Sequence, residues 1–376
     1  METVNRILII NPFGIGDVLF TTPLIRHLRK QFPGAYIGFI CNSRVAPFLS
    51  GNKNLNEIFV FDKGDFRLLW RSSKTDCVRQ FLKFLKIIKS KKFDIAIDLS
   101  LGHQYAFFLK ILGVPVRIGY NFKSRGRFLT HKIDIAGYHD KHIVEYYLDL
   151  LQPSLRAPIA VGAKQSPCND GEKLDIFIPQ KDLNWADSFL KDNGYSQGDK
   201  IAAIIPGGGA SWGKTAIYKQ WPAQNFAQVA DELIERRGLK IILLGGEDDV
   251  DACGVVSNSM RNRALSACGE TDLLQFAALL KKCVLVITND GGPLHMAVAV
   301  GVKTVSLFGP VDENVYGPYP PTKEHIVLKE DINCRPCYRE FKFKPCLTMR
   351  CLLNIRPQDV IRAAGELLGC KEAGEM

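Results

Sequence analysis

Short runs of Ile, Val and Leu recur along most of this chain, separated by stretches with helical periodicity, and that alternation limits what it can fold into. The runs are nearly continuous in apolar residues rather than alternating with polar ones, so each strand is buried on both faces. Parallel strands with helices covering both sides meet that condition. In the first half the strands are predicted at Arg6–Asn11, Ala35–Cys41, Glu57–Phe61, Phe93–Leu99 and Val116–Tyr120. In the second half they are predicted at Lys200–Ile205, Lys240–Leu244, Ala264–Ala267, Val284–Thr288 and Thr304–Phe308. Gln152 to Lys173, rich in Pro, Ala, Gly and Ser, breaks the pattern. The expectation is therefore α/β with two doubly wound parallel-sheet domains facing a cleft. An N-terminal domain spans 1–160, a linker 161–175, a second domain 176–352, and a C-terminal helix 353–376 is free to pack back on the first domain.

Length and composition suit two cores: 376 residues, 46% hydrophobic. No apolar run is long enough to span a bilayer. The 11 cysteines, an odd and scattered set, read as free thiols in a reducing compartment, so a cytoplasmic location is expected. Charge is unevenly placed. Residues 1–150 carry 23 Lys and Arg against 12 Asp and Glu, or +11, while the remainder carries 26 against 27, or −1. Much of the excess falls between Arg67 and Lys92, read as one long basic amphipathic helix. A second cluster, Lys123, Arg125 and Arg127, follows the strand at Val116–Tyr120. Together they point to an acidic partner for this half, and the helix suits an anionic membrane surface. No nucleic-acid reader motif accompanies the charge, so nucleic acid is not expected.

Four loops at predicted strand ends carry the chemistry. In open α/β sheets, ligands bind at the carboxyl ends of the strands. Asn11-Pro-Phe-Gly-Ile-Gly-Asp17 follows the first strand. It lacks the third glycine of a dinucleotide fingerprint, because Leu19 stands there. Asp17 is either a functional carboxylate or a helix N-cap. Ile205-Pro-Gly-Gly-Gly opens the second domain, and Lys219 stands just before Pro222 and a helix. Gly207, Gly208 and Gly209 let backbone approach a ligand, and an ammonium near a helix start suits phosphate. Gly208 to Thr215 also spells a Walker A loop, although Ala216 to Trp221 reads as loop and not as the helix such a lysine opens. Gly245-Gly-Glu247 ends a strand with an acid placed to accept ribose hydroxyls or to cap a helix. Thr288-Asn-Asp290-Gly291-Gly292-Pro-Leu-His295 runs from strand into helix. It reads either as a capped turn or as an anion cradle.

Taken together, GIGDVLFTTPLIRHLR, PGGGASWGKTAIYKQWPAQNFAQVADEL, ILLGGEDD, TNDGGPLHMAVAVGVKTVSLFGP and YGPYP resemble glycosyltransferase family 9, in that family's order and over essentially the whole chain. The resemblance implies a GT-B architecture of two Rossmann-like domains. It implies an inverting, metal-independent transfer of a sugar, heptose from ADP-heptose, to a lipopolysaccharide inner-core or other glycolipid acceptor, with no cofactor. Asp17 then resembles the catalytic base, Lys219 the diphosphate lysine and Glu247 the ribose acid. Asp290, Gly291, Gly292 and His295 would form the phosphate cradle, with Gly207, Gly208 and Gly209 lining the same pocket. Lys123, Arg125 and Arg127 fall to the acceptor or membrane side, so a peripheral place on the inner face of the cytoplasmic membrane is implied. Another nucleotide-sugar donor stays open. From other classes, so do a nucleotide-dependent oxidoreductase and a non-catalytic basic binder. Cys334-x2-Cys337-x8-Cys346-x4-Cys351 has spacing compatible with structural zinc, but such loops occur in the family without metal, so no metal is expected.

Overall fold

The computed structural model describes residues 4–151 and 172–369. The expected linker at 161–175 therefore lies mostly outside the described residues. The chain divides into two compact units, Met1–Glu172 and Lys173–Met376.

In the first unit, β1 (Arg6–Ile10), β2 (Tyr36–Cys41), β3 (Glu57–Val60), β4 (Ile95–Asp98), β5 (Val116–Phe122) and β6 (His131–Ile135) form one six-stranded sheet in the order β3-β2-β1-β4-β5-β6. All its pairings are parallel. Strands such as Ile7-Leu-Ile-Ile10 are buried throughout, which is why they read as continuous apolar runs. The second unit repeats the plan with β7 (Ile201–Ile205), β8 (Lys240–Leu243), β9 (Leu265–Ser266), β10 (Leu285–Asn289), β11 (Lys303–Phe308) and β12 (His325–Lys329), in the order β12-β11-β10-β7-β8-β9. Counted from each unit's own first strand, both orders are 3-2-1-4-5-6. Each sheet therefore has a switch point between its first and fourth strands, β1 and β4 or β7 and β10, where a crevice opens at the strand ends.

Three sequence expectations need correction. β6 and β12 are additional edge strands that the sequence reading left out. His131-Lys-Ile-Asp-Ile135 alternates polar and apolar residues and is only half covered, as suits an edge. The basic helix expected from Arg67 to Lys92 is two helices, Lys63–Ser72 and Lys74–Ser90. Ser73 is extended between them and accepts the Asp76 N–H at 3.3 Å, so a Ser N-cap starts the second helix where periodicity alone ran on. Residues Ala210–Lys219, expected to be partly loop, form a 3-10 helix kinked at Gly213. Lys214 opens no α-helix, so the Walker A spelling has no structural counterpart.

The final helix, Pro357–Leu367, packs on helix Ala223–Arg237 and on β11 and β12. Val360, Ala363, Ala364 and Leu367 belong to the same apolar core as Phe226, Leu233 and Ile287.

Candidate functional site

In the second unit the site is built at the switch point. Asn289, the last residue of β10, is buried at 1% exposure, and its side chain is a three-way tie. Its Nδ2 donates to the carbonyls of Pro206 (2.8 Å) and Gly207 (3.2 Å), and its Oδ1 accepts the Trp221 N–H at 3.0 Å. One amide thereby locks the glycine loop after β7 and the segment leading into helix Ala223–Arg237 onto the end of β10. Gly209 has φ +83°, a left-handed conformation that glycine adopts without strain. A Cβ there would stand 4.0 Å from the Gly291 Cα, so the two loops touch backbone to backbone.

Lys219, at the end of the 3-10 helix, reaches Asp290 with its ammonium 2.7 Å from Oδ2. Both side chains are buried, at 7% and 5% exposure. The indole of Trp212 lies 4.7 Å from the same ammonium, so the cation faces a carboxylate and a π face. Such a buried pair is expensive to break from one side.

Asp290 does not cap the following helix. Gly291 is the N-cap of Gly292–Ala299, no side chain caps it, and Pro293 sits in the first turn. The remaining first-turn N–H groups have no intrahelical acceptor, so this end of the helix presents donors and a positive dipole end. His295 lies in this helix and is buried.

Glu247 begins a short 3-10 turn after β8 and is exposed, which leaves its carboxylate accessible. Its neighbour Asp249, which the sequence reading did not single out, lies against the glycine loop. A Cβ on Gly207 would fall 2.1 Å from Asp249 Oδ1, so any larger residue there would have to push that carboxylate aside. Asp249 accepts the Gly246 N–H at 3.0 Å, and burial raises its pKa above the ordinary carboxylate value, with Asp248 nearby adding to the rise.

In the first unit, Asp17 lies in the first turn of helix Ile15–Phe20, whose N-cap is Gly14. The N-cap alternative for Asp17 therefore falls. Its carbonyl accepts from Asn11 Nδ2 (3.0 Å) and Thr21 Oγ1 (2.9 Å), so the loop after β1 is held by its own side chains. Thr21 separates this helix from Thr22–Gln31, with Pro23 in the latter's first turn. At the partner position of the switch point, β4 ends on Asp98, which is in register with Ile10 of β1. Asp98 is buried and accepts the Ser100 N–H at 2.9 Å. Desolvation pushes its pKa up to about 6, against the lowering effect of the Ser100 hydrogen bonds and of Lys63. A buried carboxylate whose pKa desolvation raises, at a strand end, is a candidate for the site, and the sequence reading passed over it.

Lys123, Arg125 and Arg127 are exposed on the β5–β6 connection, at the carboxyl edge of the same sheet. Lys123 and Ser124 both have positive φ (50° and 59°). Eight residues without a helix make this parallel crossover, and the tight turn accounts for the left-handed pair.

Cys334, Cys337, Cys346 and Cys351 line one small cavity of about 10 Å³ together with Tyr218 and Phe343. Among the described residues, no group of three or more His, Cys, Asp or Glu side chains is arranged to hold a metal ion. The cysteine-bearing segment instead braces the 3-10 helix. Phe343 lies 5.2 Å from Trp212 and 5.0 Å from Tyr218, the residue before Lys219.

The structure thus brings Gly207, Gly208, Gly209, Lys219, Asp290, Gly291, Gly292 and His295 to one switch point, with Glu247 on the neighbouring strand end. Asp17 and the basic turn belong to the first unit. Asn289, Asp249 and Asp98 were missed, although a polar residue closing an apolar strand was the visible signal for Asn289 and Asp98.

Similarity to known proteins bears on the fold and the family. The lipooligosaccharide heptosyltransferase 2 of Campylobacter jejuni is 25% identical over 366 residues, covering 96% of this chain and 98% of its own. The crystal structure of a family 9 glycosyl transferase from Veillonella parvula superposes with TM-score 0.78 at 26% identity, covering 98% of both chains. The E. coli ADP-heptose lipopolysaccharide heptosyltransferase II shares the fold with TM-score 0.72 at 21% identity, covering 96% and 98%. The family model described as glycosyltransferase family 9 (heptosyltransferase) matches residues 81–347, well over half of the sequence. On that match, the chain belongs to glycosyltransferase family 9.

Proposed function

We propose that this enzyme transfers heptose from ADP-heptose to an inner-core acceptor of lipopolysaccharide, with inversion at the anomeric carbon and without a catalytic metal. The observation that carries the reading is the buried Lys219–Asp290 contact beside the glycine loop and the uncapped helix at Gly292. In this reading the helix N–H groups and the Lys219 ammonium take the diphosphate, and Glu247 takes the ribose hydroxyls. As the C1–O bond to the β-phosphate breaks, its electron pair leaves with ADP. Preorganised donors stabilise that developing charge without a reorganisation cost. Asp17 takes the proton of the acceptor hydroxyl that attacks C1, a general-base role worth about 10²–10⁴ in rate.

Similarity to a lipopolysaccharide heptosyltransferase 3 of Escherichia coli and to the lipooligosaccharide heptosyltransferase 2 of Campylobacter jejuni supports the acceptor class. The acceptor and the anionic membrane that carries it account for the positive first unit. Lys123, Arg125, Arg127 and the Lys and Arg side chains of the two basic helices contribute about 1 kcal/mol per residue near such a surface, screened by salt. We place the enzyme at the cytoplasmic face of the inner membrane, held peripherally. No helix among the described residues is long and apolar enough to cross a membrane. Incubation with ADP-heptose and a heptose-deficient lipopolysaccharide tests the reading by mass spectrometry. A heptosylated product is expected from the wild type, formed about 10²–10⁴ times more slowly by Asp17→Ala. Absence of product with ADP-heptose, combined with thermal stabilisation by NAD and not by ADP, would overturn it in favour of a dehydrogenase.

A further inference from the structure

Beside the carboxyl ends of β1 and β2, the first unit contains an apolar cavity of about 280 Å³. Phe84 and Leu85 of helix Lys74–Ser90, Phe108 and Leu109 of helix Gln104–Ile111, and Ile10 and Ile40 at the ends of β1 and β2 are among its walls. Well-packed interiors leave few voids larger than a water molecule, and apolar voids stay dry and accept apolar ligands. Three polar residues also line it: Lys63, Gln104 and Tyr105. Lys63 and Gln104 are exposed, so the cavity meets solvent at that end. Tyr105 is only 7% exposed, and its hydroxyl has no hydrogen-bond partner among the described residues. The Lys63 ammonium stands 4.8 Å over the Tyr105 ring. Burying a hydroxyl without a partner is costly, and a ligand oxygen would satisfy it.

The surroundings narrow the ligand further. Leu68, Trp70, Val78, Leu82, Phe107 and Ile111, on the same helices or the one before them, are 39% to 63% exposed. Residues 63–92 carry ten Lys and Arg against Asp65 and Asp76. Exposed apolar residues among unbalanced positive charge fit an anionic lipid surface, whereas a protein partner of the same shape would need an acidic face. We propose that this cavity accepts one acyl chain of a phosphate-bearing membrane lipid, with the Tyr105 hydroxyl and Lys63 at its head-group end. The inference rests on the membrane-surface reading above and deepens it: the first unit grips a lipid as well as lying on a charged surface.

Calorimetric titration of the full chain with dodecyl phosphate, below its micellar concentration, tests the proposal. The wild type should bind one molecule saturably. Leu85→Trp, which fills the cavity, should abolish binding, and Lys63→Glu at the exposed rim should weaken it about tenfold or more. Thermal melting of each variant identifies a folding failure, and the rim variant keeps the test open if Leu85→Trp does not fold. Sedimentation with phosphatidylcholine vesicles, with and without phosphatidylglycerol, separates the two levels. A wild type that sediments with the anionic vesicles yet ignores dodecyl phosphate overturns the cavity proposal and leaves the surface reading standing. If it ignores both, both fail. A dimer dispersed by Leu82→Glu, with no dodecyl phosphate binding, would assign the apolar face to a second copy and also overturn the proposal.

Discussion

The two units wind their strands in the same order yet finish the equivalent strand differently. The fourth strand of the first unit ends on Asp98, a buried carboxylate with pKa near 6, and that of the second ends on Asn289, whose neutral amide joins two loops. In the first unit burial works against the charge. In the second, a polar side chain at the same topological place has its hydrogen bonds met, and the charge sits one residue later in Asp290, paired with Lys219. The difference is instructive because the fold alone does not decide function. One switch point is assembled from backbone N–H groups, glycines and a cation, which suits a diphosphate. The other has Asp17 in the helix after β1 and Asp98 at the end of β4, and a carboxylate suits a proton acceptor.

The comparison is most exposed at Asp17. Asp17→Ala should cost about 10²–10⁴ in turnover while leaving ADP affinity unchanged, as measured by initial rates and calorimetry. Equal losses of both would erase the division of labour between the units. Next comes Lys219→Ala, which strands Asp290 in a buried site and should destabilise the second unit by about 3 kcal/mol. The double variant Lys219→Ala/Asp290→Ala should recover part of that stability in urea unfolding. A smaller effect of opposite sign is expected at Asp98. Its folded pKa of about 6 lies above the unfolded value of 3.8, so the folded state holds the proton more tightly. The resulting penalty is absent below about pH 4, grows between pH 4 and 6, and is complete above that window. Asp98→Asn should therefore stabilise the protein at pH 8, by no more than the roughly 3 kcal/mol that this shift represents, with the gain vanishing near pH 4. A gain independent of pH would show that Asp98 is not the titrating group. The smallest effect is at Ser73. Ser73→Ala should cost about 1 kcal/mol in thermal melting by removing the cap that separates the two basic helices, and should leave ADP binding untouched.

Much of this architecture is legible in the residues because buried parallel strands must be apolar on both faces. The ten strands marked by apolar runs are all present, whereas β6, at a sheet edge and only partly covered, alternates and lacks that mark. β12 carries Ile326-Val-Leu328, a run as long as that of β8, and was passed over. The break at Ser73 escaped because a helix-period stripe continues across it, and a single hydroxyl bond decides where one helix ends and the next begins. Gly207 and Lys219 in one segment, and Asp290 and His295 in another, could be singled out because each segment puts glycine beside a helix start, the pattern that phosphate chemistry asks for. Asn289 and Asp98 were harder to see, since their importance comes from neighbours distant in sequence: Pro206 and Trp221 for one, Ile10 and Lys63 for the other.

The central claim is that the second unit holds a nucleoside diphosphate through Lys219 and the helix that begins at Gly292. Calorimetric titration of ADP into the wild type and Lys219→Met tests it most directly. The account predicts one saturable ADP site, weakened about tenfold or more when the ammonium is lost, because a hydrogen bond to a charged group contributes roughly 1.5–3 kcal/mol. ADP that does not bind the wild type, or that binds Lys219→Met equally well, would contradict it.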